Sequence, residues 1–248
     1  SVHGMIYCEV FFLEPNYKRI LLKVSGEALA GSKKTGFDND VLQSIAKTVK
    51  KCSDVGVQIA IVVGGGNFWR GRSNDTMDRA IADNVGMLAT AMNGLVLADA
   101  LKTQGLECRV QSAFPMEKVA EYYTKEKAIS HLNEGKVVIF VCGTGNPFFS
   151  TDTAGAIRGI EIEADVFFKA TMVDGVYNKD PHKFPDAVKY NQLTFSEVIE
   201  KKLAVMDTTA ATLCREQKLP ILVFDMSNPE NIYNALFDKN IGTIVKEV

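Results

Sequence analysis

At 248 residues and 46% apolar, the chain is long enough for one large domain or two small ones and can bury a sizeable core. Lys and Arg number 28 against 30 Asp and Glu, a net charge of −2, which argues against a general nucleic-acid binder. The five cysteines (Cys8, Cys52, Cys108, Cys142, Cys214) lack any C-x-x-C spacing, and His3, His131 and His182 lie far apart. They read as buried or free thiols in a reducing, cytoplasmic setting, with no histidine-based metal centre.

Residues 1–4 read as a cloning remnant and the rest of 1–16 as an N-terminal extension. The extension holds an apolar stretch at 10–13, but Glu9 interrupts the run and Pro15 closes it. It lacks the basic start and cleavage site of a signal peptide. No apolar run reaches membrane-spanning length, so neither a membrane nor nucleic acid is expected as a partner.

Residues 17–24 form a predicted strand that ends at Ser25 and Gly26. Lys23 lies at its carboxyl end in apolar company, where it can reach a phosphate as a point charge. The bland alternative is an exposed surface lysine. Residues 31–36 form a glycine-bounded loop but not a P-loop, because Phe37 follows the second glycine. Val41, Ile45, Val49 and Cys52 recur at helical spacing, so 38–55 is an amphipathic helix, capped by Asp38 or Asn39 and ended by Gly56.

Residues 59–63, Ile-Ala-Ile-Val-Val, suit a strand buried on both faces. They stop at Gly64, Gly65 and Gly66, followed by Asn67 and Arg70. Three glycines cost backbone entropy. Either something approaches the backbone closely, with bare N–H groups making an anion site, or the segment is a plain tight turn. Arg70 and the polar run 73–78 favour the anion site. A long helix is expected over 78–102. Its methionines are core fillers, and Asp83 on its first turns either accepts from ribose hydroxyls or is merely solvated.

A strand at 106–111, a helix at 126–133 and a buried strand at 136–141 lead to a second glycine-rich exit, 142–152. It offers Thr144, Asn146, Ser150 and Thr151 as donors and Phe148 and Phe149 as apolar walls. Thr151 or Asp152 can cap a helix over 153–160. No third glycine completes the G-x-G, so this is no dinucleotide fingerprint. A strand at 165–169 is followed by a turn at Asp174-Gly175, with Tyr177 able to stack on a base. Helices are expected at 195–201, 207–217 and 229–237, the second capped by Asp207, and strands at 220–224 and 242–245.

This alternation predicts an α/β protein, a three-layer α/β/α sandwich around a mainly parallel sheet. Ligands of such sheets bind at the carboxyl ends of the strands. Lys23, both glycine-rich exits and the 171–180 segment all fall there.

Several segments, in this order and spacing, resemble the amino acid kinase superfamily over residues 17–245. They are Lys23-Val24-Ser25-Gly26-Glu27, the 64–71 segment, the 143–152 segment, 158–165 and 169–176. Thr-Gly-Asn-Pro-Phe-Phe at 144–149 together with Asp83 resembles the bacterial uridylate (UMP) kinase branch. The resemblance implies one domain over 17–248, with 17–160 mainly the UMP half and 161–248 mainly the ATP half. It implies that Lys23, Val24, Ser25, Gly26, Gly66 and Arg70 hold the ATP phosphates, Lys23 and Arg70 being catalytic. Thr171, Tyr177 and Asp180 would hold the adenosine. Gly65, Asp83, Thr144, Gly145, Asn146, Pro147, Phe148, Phe149, Ser150 and Thr151 would bind UMP. Mg²⁺ would be held mainly by phosphates, with Asp207 or Asp152 reaching it through water or serving only as helix caps. The resemblance further implies a homohexamer activated by GTP and inhibited by UTP, with Lys102 and Arg109 near the family's GTP site.

The chemistry suits what the sequence lacks. UMP is mostly a dianion at pH 7, because a phosphate monoester has a second pKa near ~6. Its oxygen is already a nucleophile, and no Ser-His-Asp, Cys-His or carboxylate pair is set up as a base. Two alternatives stay open: a superfamily kinase acting on carbamate or a carboxylate, and a nucleotide-binding protein without turnover.

Overall fold

The structure, a computed structural model, describes residues 14–69 and 76–247. In chain order its elements are β1 (Arg19–Val24), α1 (Gly26–Ala30), α2 (Asn39–Asp54), β2 (Gln58–Val63), α3 (Arg79–Thr103), β3 (Cys108–Ser112), β4 (Glu121–Tyr122), α4 (Lys125–Asn133), β5 (Val137–Val141), α5 (Thr151–Glu161), β6 (Val166–Thr171), β7 (Val176–Tyr177), β8 (Lys189–Tyr190), β9 (Gln192–Leu193), α6 (Phe195–Glu200), α7 (Thr208–Glu216), β10 (Ile221–Asp225), α8 (Asn231–Asn234) and β11 (Thr243–Val245). Nine strands form one sheet in the order β4-β3-β5-β2-β1-β6-β10-β11-β9, parallel at every pair except β10–β11. β7 and β8 make a separate antiparallel hairpin.

Successive strand side chains point to opposite faces, and this builds two cores. On one face Ile20, Leu22 and Val24 of β1, Ile59, Ile61 and Val63 of β2 and Phe168 of β6 meet Ile45 and Val49 of α2 and Leu97 and Leu101 of α3. On the other, Leu21, Val62 and Phe167 meet Ala154 and Ala156 of α5, Ala210 of α7 and Leu132 of α4. The expected three layers follow. Asp38 caps α2 by accepting from the Asp40 and Val41 amides, and Gly56 follows its end at φ 84°. The expected helix at 229–237 shrinks to α8, because three-residue turns such as Ile232 N to Pro229 O and Phe237 N to Asn234 O flank it.

Against the expectation of no membrane-spanning run, one helix passes for such a span by length and composition alone, as the core helix of a globular protein also can. This is α3, 25 residues long with an 18-residue stretch of mean hydropathy 1.3. Between Arg79 and Lys102 its charged residues are Asp83 and Asp99, and Asn84, Thr90 and Asn93 break the apolar run further. Half of the reason lies in the core, since α3 packs on α2, β3 and β5. The other half is an exposed stripe, Ile81, Leu88, Met92 and Leu95, at 53%, 50%, 45% and 36% accessibility.

Cys52, Cys108, Cys142 and Cys214 are free and buried. Burial pushes the thiols of Cys52 and Cys214 up to about 12.

Candidate active site

Lys23 in β1 shares a sheet face with Leu21, and Lys169 in β6 shares it with Phe167. The β1–β6 register sets the two lysines directly opposite one another. Like charges so placed repel, and α5 supplies the remedy. Ser150 caps this helix by accepting from the Thr153 amide at 3.0 Å. That puts Asp152 in the first turn, above the two ammonium groups. Asp152 Oδ1 accepts from Lys23 Nζ at 2.7 Å and Oδ2 from Lys169 Nζ at 2.6 Å. Burial alone would raise the Asp152 carboxyl, but Lys23 and Lys169 outweigh it and hold it below the usual carboxylate range. Burial holds the Lys169 ammonium below the usual lysine range, against the pull of Asp152. Lys169 also donates to the Val205 carbonyl.

The expected cap on α5 is thereby corrected. Neither Thr151 nor Asp152 caps it; Ser150 does, and the helix starts at Thr151. Asp207 does cap α7, accepting from the Ala210 amide at 3.0 Å. It also accepts from the Ser150 hydroxyl and from Thr153 Oγ1 at 3.1 Å, tying α7 to the start of α5.

The glycine triplet leaves β2 beside α1. Gly64 N donates to the Val24 carbonyl at 2.9 Å. A Cβ on Gly65 would lie 2.8 Å from the Gly86 carbonyl of α3, and one on Gly26 would lie 2.5 Å from Asn67 Oδ1. Real Cβ atoms do not come so close. Close approach is therefore what these glycines permit, and in this structure the protein's own chain makes that approach.

A cavity of 310 Å³ opens between the two glycine-rich exits, a size that suits a small ligand. Lys23, Gly66 and Asp152 border it. So do seven of the residues expected to meet UMP: Gly65, Asp83, Thr144, Asn146, Phe149, Ser150 and Thr151. Gly145, Pro147 and Phe148 do not. Gly145 turns the loop at φ 81°, with Ala113 O 3.1 Å from where its Cβ would sit. Phe148 has its ring 65% exposed, but its amide donates to Asp83 Oδ2 at 2.8 Å. Arg79 Nε reaches the same oxygen at 3.0 Å, so Asp83 is held from two sides rather than solvated.

The remaining expected residues lie elsewhere. Val24 and Gly26 are buried and Ser25 caps α1 through the Ala28 amide at 3.1 Å, which leaves backbone groups to face a ligand. Thr171 ends β6, and its Oγ1 accepts from the Val173 amide at 3.1 Å. Tyr177 and Asp180 line a second cavity of 390 Å³ with Lys201 and Lys202. The Tyr177 hydroxyl donates to Asp174 Oδ1 at 2.7 Å. Arg70 lies outside the described residues. Arg109 pairs with Glu121 at 3.7 Å on the sheet edge.

Sequence reasoning missed Lys169 and Arg79. For Lys169 the signal was present: Val-Phe-Phe-Lys-Ala-Thr is a second apolar strand with a lysine near its end. Arg79 carried none, since its value comes from Asp83 one helical turn later.

A parallel sheet whose carboxyl edge carries two glycine-rich exits, two bridged lysines and a ligand-sized cavity defines a phosphate-handling α/β protein. Residues 18–225 match the amino acid kinase family, and the chain belongs to that family. Among solved structures, it is similar to the UMP kinase from Bacillus anthracis, with a TM-score of 0.90 and 36% identity over 93% of this chain and 96% of that one. It is also similar to the UMP kinase from Ureaplasma parvum, with a TM-score of 0.89 and 37% identity over 93% of this chain and 99% of that one.

Proposed function

We propose that this protein transfers the γ-phosphoryl group of ATP to UMP, giving UDP and ADP. The observation that carries the reading is the Lys23–Asp152–Lys169 bridge on the wall of the cavity that Asp83 and the 144–151 loop also border. Likeness to two UMP kinases over 93% of the chain supports UMP over carbamate or a carboxylate as acceptor, and turnover over mere binding. UMP sits between Gly65, Asp83 and the 144–151 loop, which is mainly the work of residues 17–160. ATP adenosine takes the cavity at Tyr177 and Asp180, mainly in 161–248, with its phosphates running toward Gly66, Ser25 and Lys23.

A phosphate oxygen of UMP forms the new bond to the γ-phosphorus while the bond to the β,γ-bridging oxygen breaks, so no side chain has to remove a proton. The loose transition state asks for alignment and for positive charge near the equatorial oxygens. Lys23 supplies that charge, and Arg70 is expected to add to it. Asp152 keeps the Lys23 ammonium in one place. Among the described residues no group of three or more His, Cys, Asp or Glu stands together, and both Asp152 oxygens already hold lysines. Mg²⁺ would therefore arrive on the ATP phosphates, offset their charge, and meet Asp207 or Asp152 only through water.

The exposed stripe on α3 supports self-association, and the homohexamer is the form we expect. Free, buried thiols fit a reducing, cytoplasmic setting. GTP activation and UTP inhibition belong to the same reading and await measurement of rate against each nucleotide. An ADP-release assay across UMP, CMP, AMP, carbamate and amino-acid carboxylates tests the whole. ADP release with UMP far above the others is expected, and release with carbamate or a carboxylate instead overturns the assignment.

A further inference from the structure

Asn67 and Asn93 are 1% and 0% exposed, and the mechanism above uses neither. Their side-chain amides pair reciprocally: Asn67 Nδ2 donates to Asn93 Oδ1 at 2.9 Å, and Asn93 Nδ2 donates to Asn67 Oδ1 at 2.8 Å. Each amide has a second hydrogen. That of Asn93 goes to the Gly64 carbonyl at 2.6 Å, and that of Asn67 to the Gly36 carbonyl at 2.9 Å. The Gly36 amide returns to the Asn67 carbonyl at 3.3 Å. All four amide hydrogens are thus used, and Asn67 Oδ1 also lies 2.5 Å from where a Cβ on Gly26 would be. A buried polar network that is fully satisfied fixes geometry. This one joins the end of the 31–36 loop, the exit of β1, the exit of β2 and the middle of α3.

We propose that the Asn67–Asn93 amide pair is a positioning unit that sets the Gly64–Gly66 backbone against Lys23, and through which the 31–36 loop bears on phosphoryl transfer. Neither asparagine lines the cavity; Asn93 holds the Gly64 carbonyl and Asn67 follows Gly66 in the chain, so the pair brackets Gly65 and Gly66, which do line it. Of this pair only Asn67 touches the loop, so a change at Asn93 reaches Gly36 through its partner. The rate argument rests on the function proposed above. The structural coupling does not.

The experiment uses the full chain with Asn93→Asp. A carboxylate can accept from Asn67 Nδ2 but cannot donate to the Gly64 carbonyl or to Asn67 Oδ1, and it repels both. Three quantities are read: kcat and KM with ATP and UMP, hydrogen exchange in peptides covering 31–36, and acrylamide quenching of Trp69, the one tryptophan in the sequence. Expected are a kcat loss on the order of 10²-fold, as for an ångström-scale misplacement, a UMP KM within a few-fold of wild type, faster exchange at 31–36 and stronger quenching. A purely structural role would lower the melting temperature without moving kcat measured well below it. Wild-type kcat, or wild-type exchange at 31–36, in folded Asn93→Asp overturns the proposal. If the variant is not recovered folded, Asn67→Ser, which removes the pair from the loop side, is read the same way and decides it. If the wild-type protein does not phosphorylate UMP, the proposed function fails, while exchange and quenching still decide the coupling.

Discussion

Lys23 and Lys169 face each other across β1 and β6, and Asp152 bridges them from above at 2.7 and 2.6 Å. The bridge leaves one net positive charge beside the cavity and removes the repulsion that the strand register creates. Strands set where the two charges sit, and a helix start sets what neutralises half of them.

Lys23→Ala should lower kcat by about 10²–10³-fold, the usual loss when a charge made for the transition state is removed. UMP binding should change far less. Steady-state kinetics with both substrates checks this, and a near-normal kcat would remove Lys23 from the reaction.

Asp152→Asn leaves two buried ammonium groups without their counter-charge. Breaking one partner out of a buried ion pair costs about 3–5 kcal/mol, so the variant should melt well below wild type at pH 7. The Asp152 carboxyl is held below its ordinary value in the folded state. Its contribution is therefore present above the ordinary carboxylate range and lost as pH falls through the lower, folded value. The gap in melting temperature between wild type and Asp152→Asn should persist down to a pH of about 4 and close below it. A gap that stays constant into stronger acid would contradict the ionised bridge.

Asp83→Asn should raise the KM for UMP by about 10–150-fold, the loss of roughly 1.5–3 kcal/mol for a hydrogen bond to a charged group. The KM for ATP should stay put. Movement of the ATP value alone would exchange the two nucleotide sites.

The buried parallel strands announce themselves, because 59–63 is a continuous apolar run, β-branched at all but Ala60, ended by glycines. Lys23 stands out for being charged in such a run, and Lys169 follows the same pattern. Asp152 does not stand out. It sits 129 residues from Lys23 in the chain, in a place where any polar residue reads as a helix cap. Which of Ser150, Thr151 and Asp152 caps α5 depends on one turn of backbone that the sequence leaves ambiguous. Two-residue strands such as β7 and β8 are too short to show any period at all.

The stripe on α3 gives a prediction about assembly. Leu88→Asp, in the middle of the exposed apolar row, should dissociate the proposed homohexamer and lower the mass seen by light scattering. An unchanged mass would move the contact to another surface.

That stripe has a counterpart in the sheet. Its two outermost strands, β4 and β9, are only two residues long each. A neighbouring molecule finds almost no free backbone there on which to extend the ladder, which is how natural sheets resist stacking edge to edge into fibres. Copies of this chain are thus steered away from open-ended polymerisation, and the proposed assembly through helical side chains is one that can close on itself and stop growing.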